Sequence, residues 1–153
     1  MGNEWKENLA SFFEGLNILE ISKKETIENF NQFCEFIVEP GFESLDEELK
    51  QFGIKSKSSK SKGKSITFQI NFPKSRIDNF QYIIFLPKNS LELKLKLRIR
   101  GRKRKKSLME EKEGTFMENV ESLDILKLKK EDIILDVIEY YRRFKYEAHG
   151  KTG

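Results

Sequence analysis

Cationic side chains alternate with leucine and isoleucine near the middle of the chain. Lys94, Lys96, Arg98 and Arg100 occupy every second position. A β-strand would place them on one face about 6.6–7 Å apart, which is the spacing scale of successive phosphates in a nucleic acid. Binding to such a row would be driven by release of counterions from the phosphate backbone. The spacing therefore predicts a polyanion-binding row.

Further cations flank this row, and two large apolar residues are expected on the same face. After Gly101 the strand either continues past a bulge or leaves the sheet as a basic arm, and the sequence leaves both readings open. Ile83 and Phe85 would add apolar contact or stacking on a base. The predicted nucleic-acid-binding residues are Lys60, Lys62, Lys64, Phe85, Lys94, Lys96, Arg98, Arg100, Arg102, Arg104 and Lys106.

The net charge of +4 conceals a strong segregation of charge along the chain. Residues 1–53 carry 4 basic and 12 acidic side chains, residues 54–106 carry 17 and 2, and residues 107–153 carry 8 and 11. The basic middle segment either presents a polyanion-binding face or is neutralised by acidic helices folded against it. The charge pattern alone does not separate these two outcomes.

Residue types that perform catalysis or bind metals are scarce or poorly spaced. His149, near the end of the chain, is the only histidine, and Cys34 falls on an apolar helical stripe that is typical of a core position. Asp78, Glu92 and Lys94 imitate a metal-dependent nuclease site. A hairpin with Leu86 opposite Leu91, however, would separate the two carboxylates by about 20 Å. We therefore expect a protein that is not an enzyme, with no catalytic residue, metal site or cofactor.

That hairpin, from Asn79 to Gly101, must position the basic row. Both arms alternate apolar and polar residues with the period of two that indicates half-buried strands. Between the arms, Pro87–Ser90 is rich in turn formers, and a four-residue turn there places Leu86 opposite Leu91. This register pairs apolar residues with each other on one face and leaves the cations on the other.

Other segments are expected to extend the sheet. Residues 66–72 alternate and predict a strand that ends at Pro73. Residues 54–65 read either as a disordered basic loop or as an edge strand that turns at Lys62–Gly63. Residues 102–122 show little periodicity, and the sequence leaves them as strand or loop.

Three helices are predicted. A short amphipathic helix over residues 4–16 closes near Gly15–Asn17 and docks on the core or on another subunit; its apolar residues are Trp5, Leu9, Phe12, Phe13 and Leu16. A second helix over residues 23–52 starts at a capping box formed by Ser22 and Glu25.

Pro40 is expected to kink or break the second helix, and Gly53 to end it. A last helix runs from Lys130 to about Tyr146. The predicted fold class is therefore α+β, an antiparallel meander of three to four strands with a long kinked N-terminal helix and a C-terminal helix packed on its apolar face.

The chain is expected to form one domain over residues 1–153, long enough for a core without disulfides or metals. Within it, residues 1–21 form the short N-terminal helix, residues 22–147 the core and residues 148–153 a frayed tail. A single cysteine, no signal-like start and no apolar run of about 18–20 residues favour a cytoplasmic protein without membrane contact. The charged fraction of 35% suits a thermophile or an A- and T-rich genome.

The leading functional hypothesis is a non-enzymatic nucleic-acid-binding module that contacts the phosphate backbone through the basic sheet face. The alternative is a protein-interaction or homo-oligomeric adaptor that meets an acidic protein partner or a second copy of itself. In that alternative the anchors are Trp5, Phe12 and Phe13, or the exposed pair Ile83 and Phe85.

Overall fold

The computed structural model describes residues 2–72, 78–102 and 107–150, excluding the side chains of residues 78–79 and 147–150. A long helical segment leads into a five-stranded antiparallel sheet, and a C-terminal helix completes the fold. The helices pack on one face of the sheet. This arrangement confirms the predicted α+β class, but the sheet has five strands rather than three or four.

The N-terminal helical segment is continuous from residue 4 to residue 51. Helix α1 spans Glu4–Phe33, a π-helical stretch spans Cys34–Val38, and α2 spans Glu39–Gln51. The predicted helix end near Gly15–Asn17 is therefore wrong, as is a helix start at Ser22. Ser22 lies within α1, where its carbonyl oxygen accepts a hydrogen bond from the Thr26 hydroxyl.

The π-helical stretch lies directly before Pro40 and explains how the helix passes a proline without breaking. Proline has no N–H and its ring collides with the carbonyl group one turn earlier. The wider π turn, closed by a bond from the Glu39 N–H to the Cys34 carbonyl, changes the hydrogen-bond pattern where that conflict falls. Helix α2 then ends as predicted at Gly53, which has a left-handed φ of 72°.

The five strands follow one another in space in chain order, and each neighbouring pair is antiparallel. They are β1 (Ser56–Ser61), β2 (Ser65–Asn71), β3 (Asp78–Phe85), β4 (Lys96–Gly101) and β5 (Glu110–Thr115). Of the two readings of residues 54–65, the edge strand is the observed one, as β1. Strand β5 lacks the alternation that would predict it, because every residue of this edge strand is exposed.

The predicted hairpin register is wrong by four residues. Ile84 pairs with Leu97 and Tyr82 pairs with Ile99, so β4 starts at Lys96 and residues 86–95 form a long loop. Leu93 and Leu95 are nevertheless buried, because this loop tucks their side chains into the core. A shift of four residues is an even number of strand positions, so each residue of β4 keeps its predicted face.

The core lies between the sheet and the helices and is rich in aromatic rings. From α2, Phe42 packs on Phe68 of β2 with ring centroids 5.0 Å apart. Helix α3 spans Lys130–Gly150, four residues beyond its predicted end, and its Phe144 packs on Phe80 of β3. A 3-10 turn, Ser122–Lys127, precedes α3 and buries Ile125.

Helix α3 is also joined to the sheet by a polar contact. The hydroxyl group of Tyr82, buried in β3, donates a hydrogen bond of 2.5 Å to Oδ2 of Asp136. Burial raises the pKa of both groups, so each favours its protonated form. Within the described ranges, none of the helices has both the length and the apolar character needed to cross a bilayer.

Candidate nucleic-acid interface

The sheet face opposite the helices, which we term the outer face, carries the central part of the predicted basic row. Lys96, Arg98 and Arg100 of β4 point to it, since Leu97 between them is buried on the helix side. Across the sheet, their register partners on the other strands complete three rows on this face. These rows are Lys57–Gln69–Gln81–Arg100–Glu111, Ser59–Thr67–Ile83–Arg98–Glu113 and Ser61–Ser65–Phe85–Lys96–Thr115.

Arg98, at the centre of the row, is already held by protein groups. Its Nε lies 2.8 Å from Oε1 of Glu111 and its second terminal nitrogen lies 3.1 Å from Oε2 of Glu113. The guanidinium carbon is 4.7 Å from the centroid of the Phe85 ring, a cation–π contact. Arg98 is therefore neutralised, and the Phe85 ring that was predicted to stack on a base is covered on one side by this arginine.

Two more predicted site residues lie away from the row and carry acidic partners. Lys60 of β1 points to the helix side, where its Nζ lies 2.9 Å from Oε1 of Glu39 on α2, and this hydrogen bond raises the pKa of Lys60. Lys94 was predicted as the first member of the row, but because β4 starts at Lys96 it lies in the preceding loop, where it pairs with Glu92 at 3.5 Å. The structure thus divides the predicted cations into neutralised and unneutralised groups.

The unneutralised group lies on either side of Arg98. Across the described part of the chain, Lys96, Arg100 and Arg102 take part in no ion pair, although all three side chains are half-buried. The Nε atoms of Arg100 and Arg102 are buried and have no hydrogen-bond partner there. A guanidinium N–H in that state is costly unless something accepts its hydrogen bond.

The β1–β2 turn brings two of the predicted lysines to the Lys96 end of the sheet. Lys62 and Lys64 flank Gly63, whose left-handed φ of 74° suits a tight turn. The N–H of Gly63 donates a 2.7 Å hydrogen bond to Oδ1 of Asn31 on α1, which fixes the turn against the helix. Both lysines are exposed, and no ion pair involves either of them in the described chain.

Amide groups occupy the outer face between the cations. Gln81 donates a 3.1 Å hydrogen bond to Gln69, and Gln69 donates a 3.0 Å hydrogen bond to Asn71. Ile83 of the central row is apolar, whereas the amides at the Arg100 end of the face are hydrogen-bonded to one another. A ligand there would meet fewer free donors and acceptors than the residue types alone suggest.

Glu111 and Glu113 were not predicted as partners of the basic row. Neutralisation by acidic helices was foreseen as one outcome, but the neutralising carboxylates are on the neighbouring strand β5. The excess of acidic residues after residue 107 was the available signal, although only the β4–β5 pairing shows which cation they meet. Arg104 and Lys106 lie outside the described residues.

The side chains considered for catalysis do not form a site. Cys34 is buried, and burial raises the pKa of its thiol to about 12, so it is protonated near neutral pH. No three His, Cys, Asp or Glu side chains within the described chain could hold a metal ion together. The 20 Å separation of Asp78 and Glu92 was based on the wrong register, but Asp78 begins β3 and Glu92 lies in the loop beyond the other end of that strand.

A groove with a volume of about 750 Å³ opens beside the Lys96 end of the sheet, and Lys96 and Thr115 of the outer face are among its lining residues. Its walls come from the middle of α1 around Thr26, from the loop before β4 around Leu93, and from residues 115–126. Apolar side chains at its rim include Leu91, Leu123 and Leu126, which are 45%, 86% and 39% exposed. No sequence pattern indicates this groove, because three separate segments form it.

The strand register therefore places four basic side chains on the outer face, Lys57, Lys96, Arg98 and Arg100, against Glu111 and Glu113, and Arg102 follows directly after the end of β4. Of these cations, Arg98 is the one that the two carboxylates engage in the described structure. No family model, curated protein or solved structure matches the chain.

Proposed function

We propose that the protein binds nucleic acid through the phosphate backbone, on the outer face of its sheet. The observation that carries the proposal is the set of half-buried cations without acidic partners in the described chain, namely Lys96, Arg100 and Arg102. The buried Nε atoms of Arg100 and Arg102 have no hydrogen-bond acceptor in the described chain, and a phosphate oxygen would supply one.

The distances between these three cations are similar to the distances between phosphates along a nucleic-acid backbone. Along an extended strand Lys96 and Arg100 are separated by about 13 Å, and Arg102 extends the row to about 20 Å. Successive phosphates of one backbone are about as far apart as alternate strand residues, about 6.6–7 Å, so Lys96 and Arg100 match phosphates two apart, and Arg100 and Arg102 match neighbouring ones. The exposed lysines of the β1–β2 turn lengthen the positive surface beyond Lys96.

The same surface predicts little selectivity for base sequence. Arginine and lysine on phosphates position a nucleic acid but carry no sequence information. The amides that would otherwise read base edges, Gln69 and Gln81, are bonded to each other. Phe85, the aromatic ring of the three rows, is covered by Arg98. We therefore expect binding that depends on salt much more than on sequence.

A pair of arginine substitutions with a matched control tests this function. The test variant is Arg100→Gln/Arg102→Gln. The control is Arg142→Gln/Arg143→Gln on α3, which removes the same charge from arginines already paired with Glu139. Binding to labelled single- and double-stranded DNA and RNA is measured as a function of salt, starting near 50 mM, and thermal unfolding is measured for both variants.

We expect the test variant to bind about ten- to a hundredfold more weakly at low salt. Its log–log salt slope should fall by about 2, or about 1 for each arginine that no longer meets a phosphate, equally for all sequences. The control should bind like the unmodified protein. Equal weakening of binding in the two variants would show that binding depends on net charge and not on the outer face. Absence of binding by the unmodified protein at 50 mM salt would refute the proposed function.

A further inference from the structure

The first five turns of α1 carry a dense set of apolar side chains on their surface. Every residue from Gly2 to Ile21 is exposed, including Trp5 at 62%, Phe12 at 59% and Phe13 at 58%. A helix of about 18 residues is about 27 Å long. Contiguous apolar surface of this kind usually marks an interaction site rather than a solvated helix.

The apolar residues follow the spacing of a coiled coil. Alternating steps of four and three run without interruption from the exposed half of α1 into the core, through seven apolar residues and two polar ones: Trp5, Leu9, Phe12, Leu16, Leu19, Lys23, Thr26, Phe30 and Phe33. Its last three members are buried, whereas the first five are exposed. This period of 3.5 residues is what two packed helices need to keep one seam facing the other.

We propose that the exposed half of α1 pairs with the same segment of a second copy of this chain, antiparallel, to form a two-fold symmetric dimer. In this pairing Leu9 packs against Leu19 of the second copy and Phe12 against Leu16 of the second copy. We term the rest of each chain, from residue 22 onward, its folded body, and the two folded bodies then lie at opposite ends of the helix pair. Except where Lys96 and Thr115 line the groove beside Thr26, this dimer uses a different surface from the outer face of the sheet.

The residues at the two ends of the seam favour the antiparallel direction. Lys23 occupies a seam position at one end and Trp5 occupies one at the other. An antiparallel pair brings each lysine onto the indole of the other copy, a favourable cation–π contact. A parallel pair would instead face Lys23 with Lys23 of the second copy, two like charges in one layer.

Charges beside the seam favour the same direction. Lys6 and Glu20 follow the seam residues Trp5 and Leu19 and so flank the seam on the same side. In the antiparallel pair, Lys6 of each copy lies beside Glu20 of the other, and Phe13 meets Phe13 across the symmetry axis. In a parallel pair, these two charges are 14 residues apart, or about 21 Å along the helix.

The available area is sufficient for a stable dimer. An aromatic side chain buries about 150–250 Å², so Trp5, Phe12 and Phe13 at their present exposures offer on the order of 350 Å² per copy. With the three leucines and both copies included, the total is on the order of 1,000–1,400 Å². That range meets the approximate 1,000 Å² expected of a specific interface.

A groove formed by the rest of the chain adjoins the exposed half of α1. The groove beside Thr26 begins where the exposed half of α1 ends, and Ser22 is one of its lining residues. In the antiparallel pair the first turn of the second copy arrives at this point. The exposed leucines at the rim of the groove, Leu91 and Leu123, are apolar surface that this turn would cover.

The oligomeric state of the full chain tests the pairing. Analytical ultracentrifugation compares the unmodified protein with Leu16→Glu on the seam and with Ile18→Glu off the seam. Ile18 is the more exposed of the two, at 63% against 41% for Leu16, so exposure alone would predict the larger effect at Ile18. We expect Leu16→Glu to weaken the dimer about a hundredfold or more and Ile18→Glu to leave it within about threefold.

A charge exchange tests the direction. Lys6→Glu and Glu20→Lys alone should each weaken the dimer about three- to tenfold, because each places two like charges together twice by symmetry. The double variant Lys6→Glu/Glu20→Lys should recover the original affinity. Recovery is expected only in the antiparallel pair, since a parallel pair keeps the two residues far apart.

Several outcomes would overturn the proposal. An unmodified protein that stays monomeric at about 100 μM, or that forms trimers or tetramers, rules out the dimer. Equal effects of Leu16→Glu and Ile18→Glu rule out the seam, and failure of the charge exchange to restore affinity rules out the antiparallel direction. Thermal unfolding of each variant separates these results from loss of the folded body.

Discussion

The two halves of α1, residues 4–21 and 22–33, share one stripe of seam residues, but the stripe is exposed in the first half and largely buried in the second. In residues 22–33, Thr26, Phe30 and Phe33 of the stripe are buried against the sheet and the segment after β5, and Phe33 packs on Phe116 with ring centroids 5.8 Å apart. In residues 4–21, Trp5 and the rest of the stripe face outward. The difference shows that an amphipathic pattern specifies a face to be covered but not the surface that covers it.

The halves also differ in what holds them helical. An isolated helix of about 18 residues is marginal in water, because nucleation is costly. The second half is held by tertiary packing and nucleates the helix, so the first half only has to propagate from it. Three pairs of variants test whether the packed and unpacked regions differ in this way.

The largest effect should come from truncating one stripe phenylalanine in each half. Phe30→Ala removes a ring that is 0% exposed and should lower the free energy of unfolding by about 3–5 kcal/mol. Phe12→Ala removes a ring that is 59% exposed and should change it by no more than about 0.5 kcal/mol. Urea denaturation of both variants in a Leu16→Glu background excludes any contribution from dimerisation.

If Phe12→Ala lowered the free energy of unfolding by more than about 1 kcal/mol, this expectation would be contradicted. It would show that the first half of α1 packs on its own body in solution, and the contrast between the halves would disappear. The Leu16→Glu protein without either alanine serves as the reference.

An intermediate effect is expected from adding a methyl group to a glycine in each helical region. At Gly41 of α2 a Cβ would lie 3.1 Å from the backbone oxygen of Lys130, which starts α3. Gly41→Ala should therefore lower the free energy of unfolding by about 1 kcal/mol, because the energetic cost of overpacking exceeds the stabilisation from higher helix propensity. At Gly15 no atom of the described chain lies within 4 Å of that position, so Gly15→Ala should stabilise by about 0.5–1 kcal/mol.

Thermal and urea unfolding of the two alanine variants, again with Leu16→Glu, measure this pair. A decrease in stability for Gly41→Ala and an increase for Gly15→Ala would support the contrast between the packed and unpacked helical regions. If Gly41→Ala were as stabilising as Gly15→Ala, α2 and α3 would be packed loosely enough to move apart, and the second region would be less constrained than its contacts indicate.

The smallest effect concerns α3, the helix that covers α2 but has no counterpart over residues 4–21 in the described chain. Burial raises the pKa of Asp136 by more than the hydrogen bond from Tyr82 lowers it. The fold therefore favours the neutral carboxyl group. Its contribution to stability is complete below the unfolded pKa of about 3.9 and is lost as pH rises through the raised folded pKa.

We therefore expect the unmodified protein to lose stability relative to Asp136→Asn, on the order of 1 kcal/mol or less, as pH rises from about 4 to about 7. The control, Glu139→Gln, should show the opposite sign, because hydrogen bonds from Arg142 and Arg143 lower the pKa of Glu139. Urea denaturation at several pH values measures both. The same sign in the two variants would contradict the assigned cause.

The proportion of the fold that is predictable from sequence depends on how local its cause is. The faces of β2, β3 and β4 follow from alternation, which is a local property, and the start of α3 and the stop at Gly53 follow from short-range signals. The hairpin register was wrong because Leu93 and Leu95 alternate like strand residues while lying in a loop. Periodicity does not distinguish these cases.

For the candidate site, the sequence likewise predicted which way side chains face but not which side chains they contact. Alternation predicted Lys94, Lys96, Arg98 and Arg100 as one outward row, and the structure places the last three there, whereas Lys94 lies in the loop before β4. It did not show that Arg98 is neutralised while Arg100 is not. That difference depends on which β5 carboxylates reach which cation, and β5 carries no pattern of its own.

Local patterns in the sequence are enough to specify the α+β class, the apolar and polar faces of the central strands, the charge segregation and the stripe along α1, because each arises from residue type at a short repeat. The folded chain is needed to establish the register of β3 with β4, the neutralisation of Arg98 and Lys60, and the point near Thr26 where the stripe passes from solvent into the core. Those features depend on contacts between residues distant in the chain. Their energies are set by what lies opposite each side chain, which no local pattern records.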